Sequence, residues 1–166
     1  MSTRPDPATG RQPITGPEPE PNPHLIVRVD ETRLALAESD LVDGPVQSIV
    51  HRLPLAPPTL AGLTNLGGAV VPVLDMRAAL GLPDPANDDA SRHTRFVRTT
   101  SGTIGLLVEN AETQRVDVQP AALHQPPLTM LPEARRVVVG LQRDDTGLVA
   151  VLDVEAAVRR LRDPLD

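Results

Sequence analysis

The sequence predicts an all-β protein with short helices, built as two small barrels related by internal duplication and closed by a C-terminal helix. Three observations carry this. Short runs rich in Val, Leu, Ile and Thr alternate with turn formers along most of the chain, a pattern that favours barrels over open sheets. Residues 62–80 recur in residues 140–158 at a constant offset of 78 without a gap. A single unit of about 70 residues has only a marginal core, so two units packed together are the natural solution.

Residues 1–23 form a Pro-rich polar tail, including Pro17-Glu18-Pro19-Glu20-Pro21, expected to be disordered because it has little apolar surface to bury. A polyproline II recognition peptide is the other reading, but the basic residue that often accompanies such ligands is missing. At His24 the texture changes. His24–Val29 reads as a strand, Asp30-Glu31-Thr32 as a turn, and Arg33–Ala37 as a half-buried return strand. Val46–Leu53 reads as a further β-like stretch stopped by Pro54, Pro57 and Pro58. Ala69–Leu74 is strongly β-prone, with Pro72 expected at an edge or bulge because it cannot donate to a ladder. Asp75 caps a short helix over Met76–Leu80, Gly81 stands at its C′ position, and Pro83–Ala90 reads as a loop.

A second series follows: Thr94–Thr99, Thr103–Val108, Glu112–Val118, Arg136–Leu141 and Gly147–Leu152. Asp153 then caps a helix whose Val154, Ala157, Val158 and Leu161 form one apolar stripe. Within the repeat, 8 of 19 aligned positions are identical: Gly62/Gly140, Leu63/Leu141, Val71/Val149, Val73/Val151, Leu74/Leu152, Asp75/Asp153, Ala78/Ala156 and Ala79/Ala157. The folded region is expected over 24–162, with intertwined subdomains near 24–82 and 93–162 and a short tail at 163–166.

Composition excludes several functions. The net charge is −6, no basic run exists, and Phe96 is the one aromatic residue, so neither the cationic footprint nor the stacking platforms of nucleic-acid binding are present. Without cysteine there are no disulfides or thiolate metal sites. No signal-peptide pattern opens the sequence, and no apolar run approaches the ~18 residues of a membrane span, so a cytoplasmic location is expected. His24, His51, His93 and His124 lack metal-ligand spacing. Glycine-rich 62–68 lacks the Lys-Ser/Thr of a phosphate cradle and reads as a turn. No cofactor is expected.

Two carboxylate motifs imitate catalysis. Asp145-Thr146-Gly147 resembles an aspartic-protease signature, but that chemistry needs an Asp from each half, and the offset of 78 supplies Gly67-Gly68-Ala69 instead. Asp144–Gly147 is better read as a hairpin turn. Asp75 and Asp153 are symmetric and suggest an acid/base pair, but each directly precedes a helix, where N-capping explains it.

The order of elements resembles the CheW family of bacterial chemosensory coupling proteins. Residues 62–77, Gly-Leu-Thr-Asn-Leu-Gly-Gly-Ala-Val-Val-Pro-Val-Leu-Asp-Met-Arg, are similar to the family signature G-hydrophobic-x-N-L-R-G followed by a Pro-containing strand and D-hydrophobic-R. Leu53-Pro54, Pro57 and Leu60-Ala61 match the approach to it, Ile104–Val108 a later strand with Glu109 in place of Asp, and Val151–Glu155 the ending. The resemblance implies two SH3-like five-stranded barrels and no catalysis. It also implies a scaffold joining the cytoplasmic tip of a chemoreceptor to the regulatory domain of a histidine kinase. The signature arginine, which the family places at its coupling surface, is Gly67 here, so receptor coupling is expected to be weakened. Leu41 and Asp43 fall where the family has a hydrophobic residue and Glu, and Gly44 where it has Ile. Leu41, Asp43, Leu60, Gly62, Asn65, Leu66 and Gly67 are thus the candidate partner contacts, Leu60 and Leu66 serving equally well as core. The competing readings are a relative that binds the kinase without receptors, and a small-ligand binder between the barrels.

Overall fold

The computed structural model describes residues 20–85, 92–109 and 114–162. In chain order the elements are β1 Pro23–Val29, β2 Thr32–Ala37, β3 Leu41–Val42, β4 Leu60–Leu66, β5 Ala69–Asp75 and α1 Met76–Ala79. They continue with β6 His93–Thr99, β7 Gly102–Val108, β8 Arg115–Asp117, α2 Pro132–Val137, β9 Val138–Asp144, β10 Gly147–Leu152 and α3 Val154–Arg162. Two five-stranded sheets result, in the orders β8-β1-β2-β10-β9 and β3-β6-β7-β5-β4. The predicted fold class holds, and the strand count agrees with SH3-like barrels.

Each sheet mixes the two halves of the chain. Replacing β1 to β5 by β6 to β10, and the reverse, turns one strand order into the other. The hairpin β1–β2 therefore joins β9–β10 through a parallel β2–β10 contact, Leu34↔Ala150 and Ala35↔Val151. Its counterpart joins β7 to β5 in parallel, Gly105↔Val73 and Leu106↔Leu74. Even the irregularities repeat: the β4–β5 register shifts between Leu60 and Gly62, and the β9–β10 register shifts at the equivalent Val138 and Gly140.

Packing explains why the strands read as unbroken apolar runs. In β1, Leu25, Val27 and Val29 enter a core shared by both sheets and all three α-helices, while Ile26 points into the interior of its own sheet. In β2, Leu34 and Leu36 face the shared core and Ala35 the interior. Both faces are buried, so the period-2 polarity that marks a half-exposed strand disappears. The predicted helical stripe holds: Val154, Ala157 and Val158 are buried in the shared core and Leu161 packs partly against it.

Several expected boundaries move. β1 begins at Pro23, and the Asn22 carbonyl accepts the Val118 N–H, so sheet pairing starts slightly before His24. Val46–Leu53 is not a strand. Its backbone is met by side chains, with Ser48 Oγ donating to the Pro45 carbonyl (3.0 Å) and Thr64 Oγ1 to that of Ile49 (2.8 Å). His51 forms an isolated bridge with Leu63, the Val46 carbonyl accepts the Thr94 N–H at 2.8 Å, and β3 at Leu41–Val42 is the strand there instead. The glycine-rich turn is confined to Gly67 and Gly68; the preceding residues form β4. Arg136 and Val137 belong to α2, which Pro132 opens at its first turn, and the strand begins at Val138. β8 covers only Arg115–Asp117 of the expected Glu112–Val118, whose residues 112 and 113 lie outside the described ones, as do 86–90 of the Pro83–Ala90 loop, residues 163–166 and the tail through residue 19. Pro72 lies on an interior strand, yet β5 pairs with β7 only from Val73 onward, so its missing N–H breaks no ladder on that side.

Two polar ties cross between the sheets at equivalent places. Glu155 of α3 accepts both the N–H (2.8 Å) and the hydroxyl (2.9 Å) of Thr100 in the β6–β7 turn. Those hydrogen bonds lower the Glu155 pKa. At the matching position of α1, buried Arg77 pairs with Glu109, whose other oxygen accepts the Asp30 N–H of the β1–β2 turn (2.5 Å).

Candidate partner-binding surface

The β4–β5 hairpin ends in a two-residue turn. Gly67 has φ 59° and Gly68 φ 89°, the pair of left-handed conformations that a type I′ hairpin needs. Asn65 Oδ1 accepts the Gly68 N–H at 2.9 Å and stiffens the turn. Asn65, Gly67, Gly68, Ala69 and Val70 are exposed, Val70 by 72 %, and Leu66 is half-buried. The tip is a small, uncharged, partly apolar knob.

The structure divides the seven candidate residues. Leu41 pairs with Val97 on the edge strand β3, and Asp43 and Gly44 follow it, exposed. A Cβ on Gly44 would stand 2.9 Å from Leu66 Cδ1, so this segment lies against the hairpin tip. Leu41, Asp43, Asn65, Leu66 and Gly67 therefore share one end of their sheet. Leu60 starts β4 at the other end, roughly 20 Å away along a seven-residue strand. Leu60 and Leu66 are both half-buried in that strand rather than projecting from a loop. Gly62 is buried, and a Cβ there would meet the His51 carbonyl oxygen at 2.2 Å.

Gly44 has a packing cause that the sequence did not display. Its Cβ would lie 2.4 Å from the Phe96 ring, so the aromatic side chain takes the space that a branched residue at position 44 would need.

The catalytic imitations resolve as structure. Asp144 Oδ1 accepts the N–H of Thr146 (2.9 Å) and of Gly147 (3.0 Å) across the β9–β10 turn, and Arg33 holds both its oxygens at 2.8 and 2.7 Å. The Arg33 hydrogen bond holds this carboxyl well below the usual carboxylate range, against the opposing effect of burial. Asp75 Oδ1 accepts the N–H of Arg77 at 3.0 Å, and Asp153 Oδ1 that of Ala156 at 3.0 Å. Asp153→Ala is expected to cost about 0.5–2 kcal/mol through lost capping. Thermal unfolding measures this, and partner capture should be unchanged.

Among the described residues no three His, Cys, Asp or Glu are grouped to hold a metal. A depression of about 670 Å³ opens beside β4 and β5, lined in part by Arg52, Leu60, Asp75, Asp84 and Arg92. None of its lining comes from the other sheet, and Asp75 is engaged by its helix and by Arg92 at 3.4 Å. No described helix is long and apolar enough to cross a membrane.

A duplicated pair of five-stranded sheets, with exposed hairpins and with Asp75, Asp144 and Asp153 engaged in caps and a turn, defines a small duplicated β fold. The family model of the CheW-like domain matches residues 23–162, and the chain belongs to that family. The scaffolding protein TtCheW of Thermoanaerobacter tengcongensis has a similar structure, with a TM-score of 0.71 and 18% identity over 84% of this chain and 89% of that one. No curated protein matches.

Proposed function

We propose that this chain is a non-catalytic adaptor of a cytoplasmic chemosensory complex, binding the regulatory domain of a histidine kinase and, more weakly, the cytoplasmic tip of a chemoreceptor. Family membership over residues 23–162 carries the reading. The contacts assigned to partners are the hairpin tip and the segment against it: Leu41, Asp43, Asn65, Leu66 and Gly67. Leu60 and Gly62 drop out on this reading, the first by its distance from the tip and the second by its burial.

Gly67 is the reason for the asymmetry between partners. An arginine there offers charge-assisted hydrogen bonds, each contributing about 1.5–3 kcal/mol. Thr64, Asn65 and Val70 supply no charge in its place. A relative that has given up the receptor and competes for the kinase follows if the loss is complete.

The test is separate titration of the purified chain with a receptor tip and with a kinase regulatory domain. Nothing stands within 4 Å of a Cβ at Gly67, so Gly67→Arg meets no steric obstacle. Its left-handed φ costs about 1–2 kcal/mol of stability. Receptor affinity is expected to rise about tenfold to a hundredfold. Tight receptor binding by the natural chain, untouched by the substitution, would remove Gly67 from the interface.

A further inference from the structure

The depression of about 670 Å³ beside the start of β4 and the end of β5 holds two formal charges that the fold does not use. Arg52 and Asp84 both line it and are exposed, and among the described residues neither has a hydrogen-bond or ion-pair partner. The remaining charges of the lining are spent on each other and on the fold. Asp75 Oδ1 accepts the N–H groups of Arg77 and Ala78 that open α1, and Asp75 Oδ2 pairs with Arg92 at 3.4 Å. The depression therefore presents one unused cation and one unused anion that do not pair with each other.

Its walls are fixed by the backbone. His51 and Leu63 exchange two hydrogen bonds of 2.8 and 2.9 Å, the Leu60 N–H donates to the Pro57 carbonyl at 2.9 Å, and the Asp75 N–H to the Thr59 carbonyl at 2.8 Å. Pro57 and Pro58 restrict the chain further. A preformed site gives up little conformational freedom on binding. More of the lining surface is polar than apolar, with Leu53, Pro57, Pro58 and Leu60 supplying apolar patches. The volume falls within the roughly 300–1,000 Å³ of small-molecule sites. A ligand that suits this lining carries hydrogen-bonding groups along its length, small apolar side chains, and one charge of each sign at its ends.

We infer that this depression binds a short apolar peptide with free ends, its carboxylate on Arg52 and its ammonium on Asp84. A free apolar amino acid offers the same two charges at closer spacing, and the volume favours the longer molecule. The inference is independent of the adaptor reading. The site lies at the end of β4 away from Gly67, so its occupant and a partner on the hairpin tip do not compete.

The test uses the full chain and four probes: leucyl-leucine, its N-acetyl form without the ammonium, its C-terminal amide without the carboxylate, and leucine. Each is titrated calorimetrically and added at about 10 mM in thermal unfolding, where a dissociation constant of about 0.1 mM stabilises the fold measurably. Leucyl-leucine should raise the melting temperature and bind about tenfold or more tightly than either capped form. Arg52→Gln should melt as the natural chain does without peptide, and no longer distinguish leucyl-leucine from the amide. Asp84→Asn should likewise lose the distinction from the N-acetyl form. Leucine binding as tightly as leucyl-leucine, with the same dependence on both residues, supports the two-charge chemistry with a free amino acid as its source. No binding of either leucyl-leucine or leucine overturns the proposal. So does equal binding of leucyl-leucine and both capped forms by the natural chain, or variants that keep its discrimination.

Discussion

Gly62→Ala is expected to lower the melting temperature by about 5–15 °C, although it adds one methyl group to a 166-residue chain. The added Cβ would stand 2.2 Å from the His51 carbonyl oxygen and 2.7 Å from its carbon. Both are backbone atoms, so no side-chain rotation relieves the clash. The same carbonyl accepts the Leu63 N–H, and the His51 N–H donates to the Leu63 carbonyl. Moving the His51 segment away therefore gives up two hydrogen bonds, each contributing about 1 kcal/mol, on top of about 1–3 kcal/mol of overpacking. The second half makes the same arrangement: His124 and Leu141 exchange the equivalent bonds, and a Cβ on Gly140 would lie 3.0 Å from the His124 oxygen. Gly140→Ala should do less damage because its closest contacts, Leu123 Cβ at 2.9 Å and the His124 oxygen at 3.0 Å, are longer. Gly102→Ala, with nothing within 4 Å, separates this clash from the general effect of losing a glycine. Thermal unfolding of the three variants should rank Gly62→Ala as the most destabilised. Equal melting of Gly62→Ala and Gly102→Ala would show that the close approach is not needed.

That pairing shows what was legible in the sequence. The identities Gly62/Gly140 and Leu63/Leu141 were visible and established a duplication, but not their purpose. They mark where an irregular segment lies against the edge strand, and segments without periodicity, such as 46–53, leave no pattern to read. The strand runs were legible because both faces of β1, β2 and β7 are buried, which forces continuous apolar sequence. Which hairpin joins which was not. The β1–β2 hairpin matches β6–β7 at an offset of 70, whereas β4–β5 matches β9–β10 at 78, and the parallel β2–β10 contact is non-local. Leu60 and Leu66 illustrate the limit at the site. A glycine, a threonine and an asparagine between them signal a loop, yet the same residues are the inward and outward positions of β4. Glycine served here for close approach rather than for a turn until Gly67.

Phe96→Ala is expected to cost about 3–5 kcal/mol, the usual range for a fully buried phenylalanine. Phe96 is 2 % exposed and is the one aromatic ring of the chain. The sharper test comes from the pseudo-twofold, which places Ile26 where Phe96 stands and Ala35 where Gly105 stands, at the offset of 70. One barrel interior thus uses a large residue beside glycine, and the other a medium residue beside alanine. The two pairs fill similar space. A Cβ on Gly105 would lie 3.6 Å from the Phe96 ring, 3.1 Å from Val73 and 2.9 Å from Thr94, so Gly105→Ala alone overpacks the interior. Phe96→Ile alone leaves a void. Together they should recover part of what each loses, because the smaller side chain lets Thr94 and Val73 yield to the new methyl. Neighbouring core residues of this kind couple by about 0.5–3 kcal/mol. Denaturant unfolding of the two single variants and the double variant measures that coupling directly. A favourable coupling is expected; strictly additive losses would mean that the two barrels reach their packing independently, and that the volume match between Phe96/Gly105 and Ile26/Ala35 does not govern it.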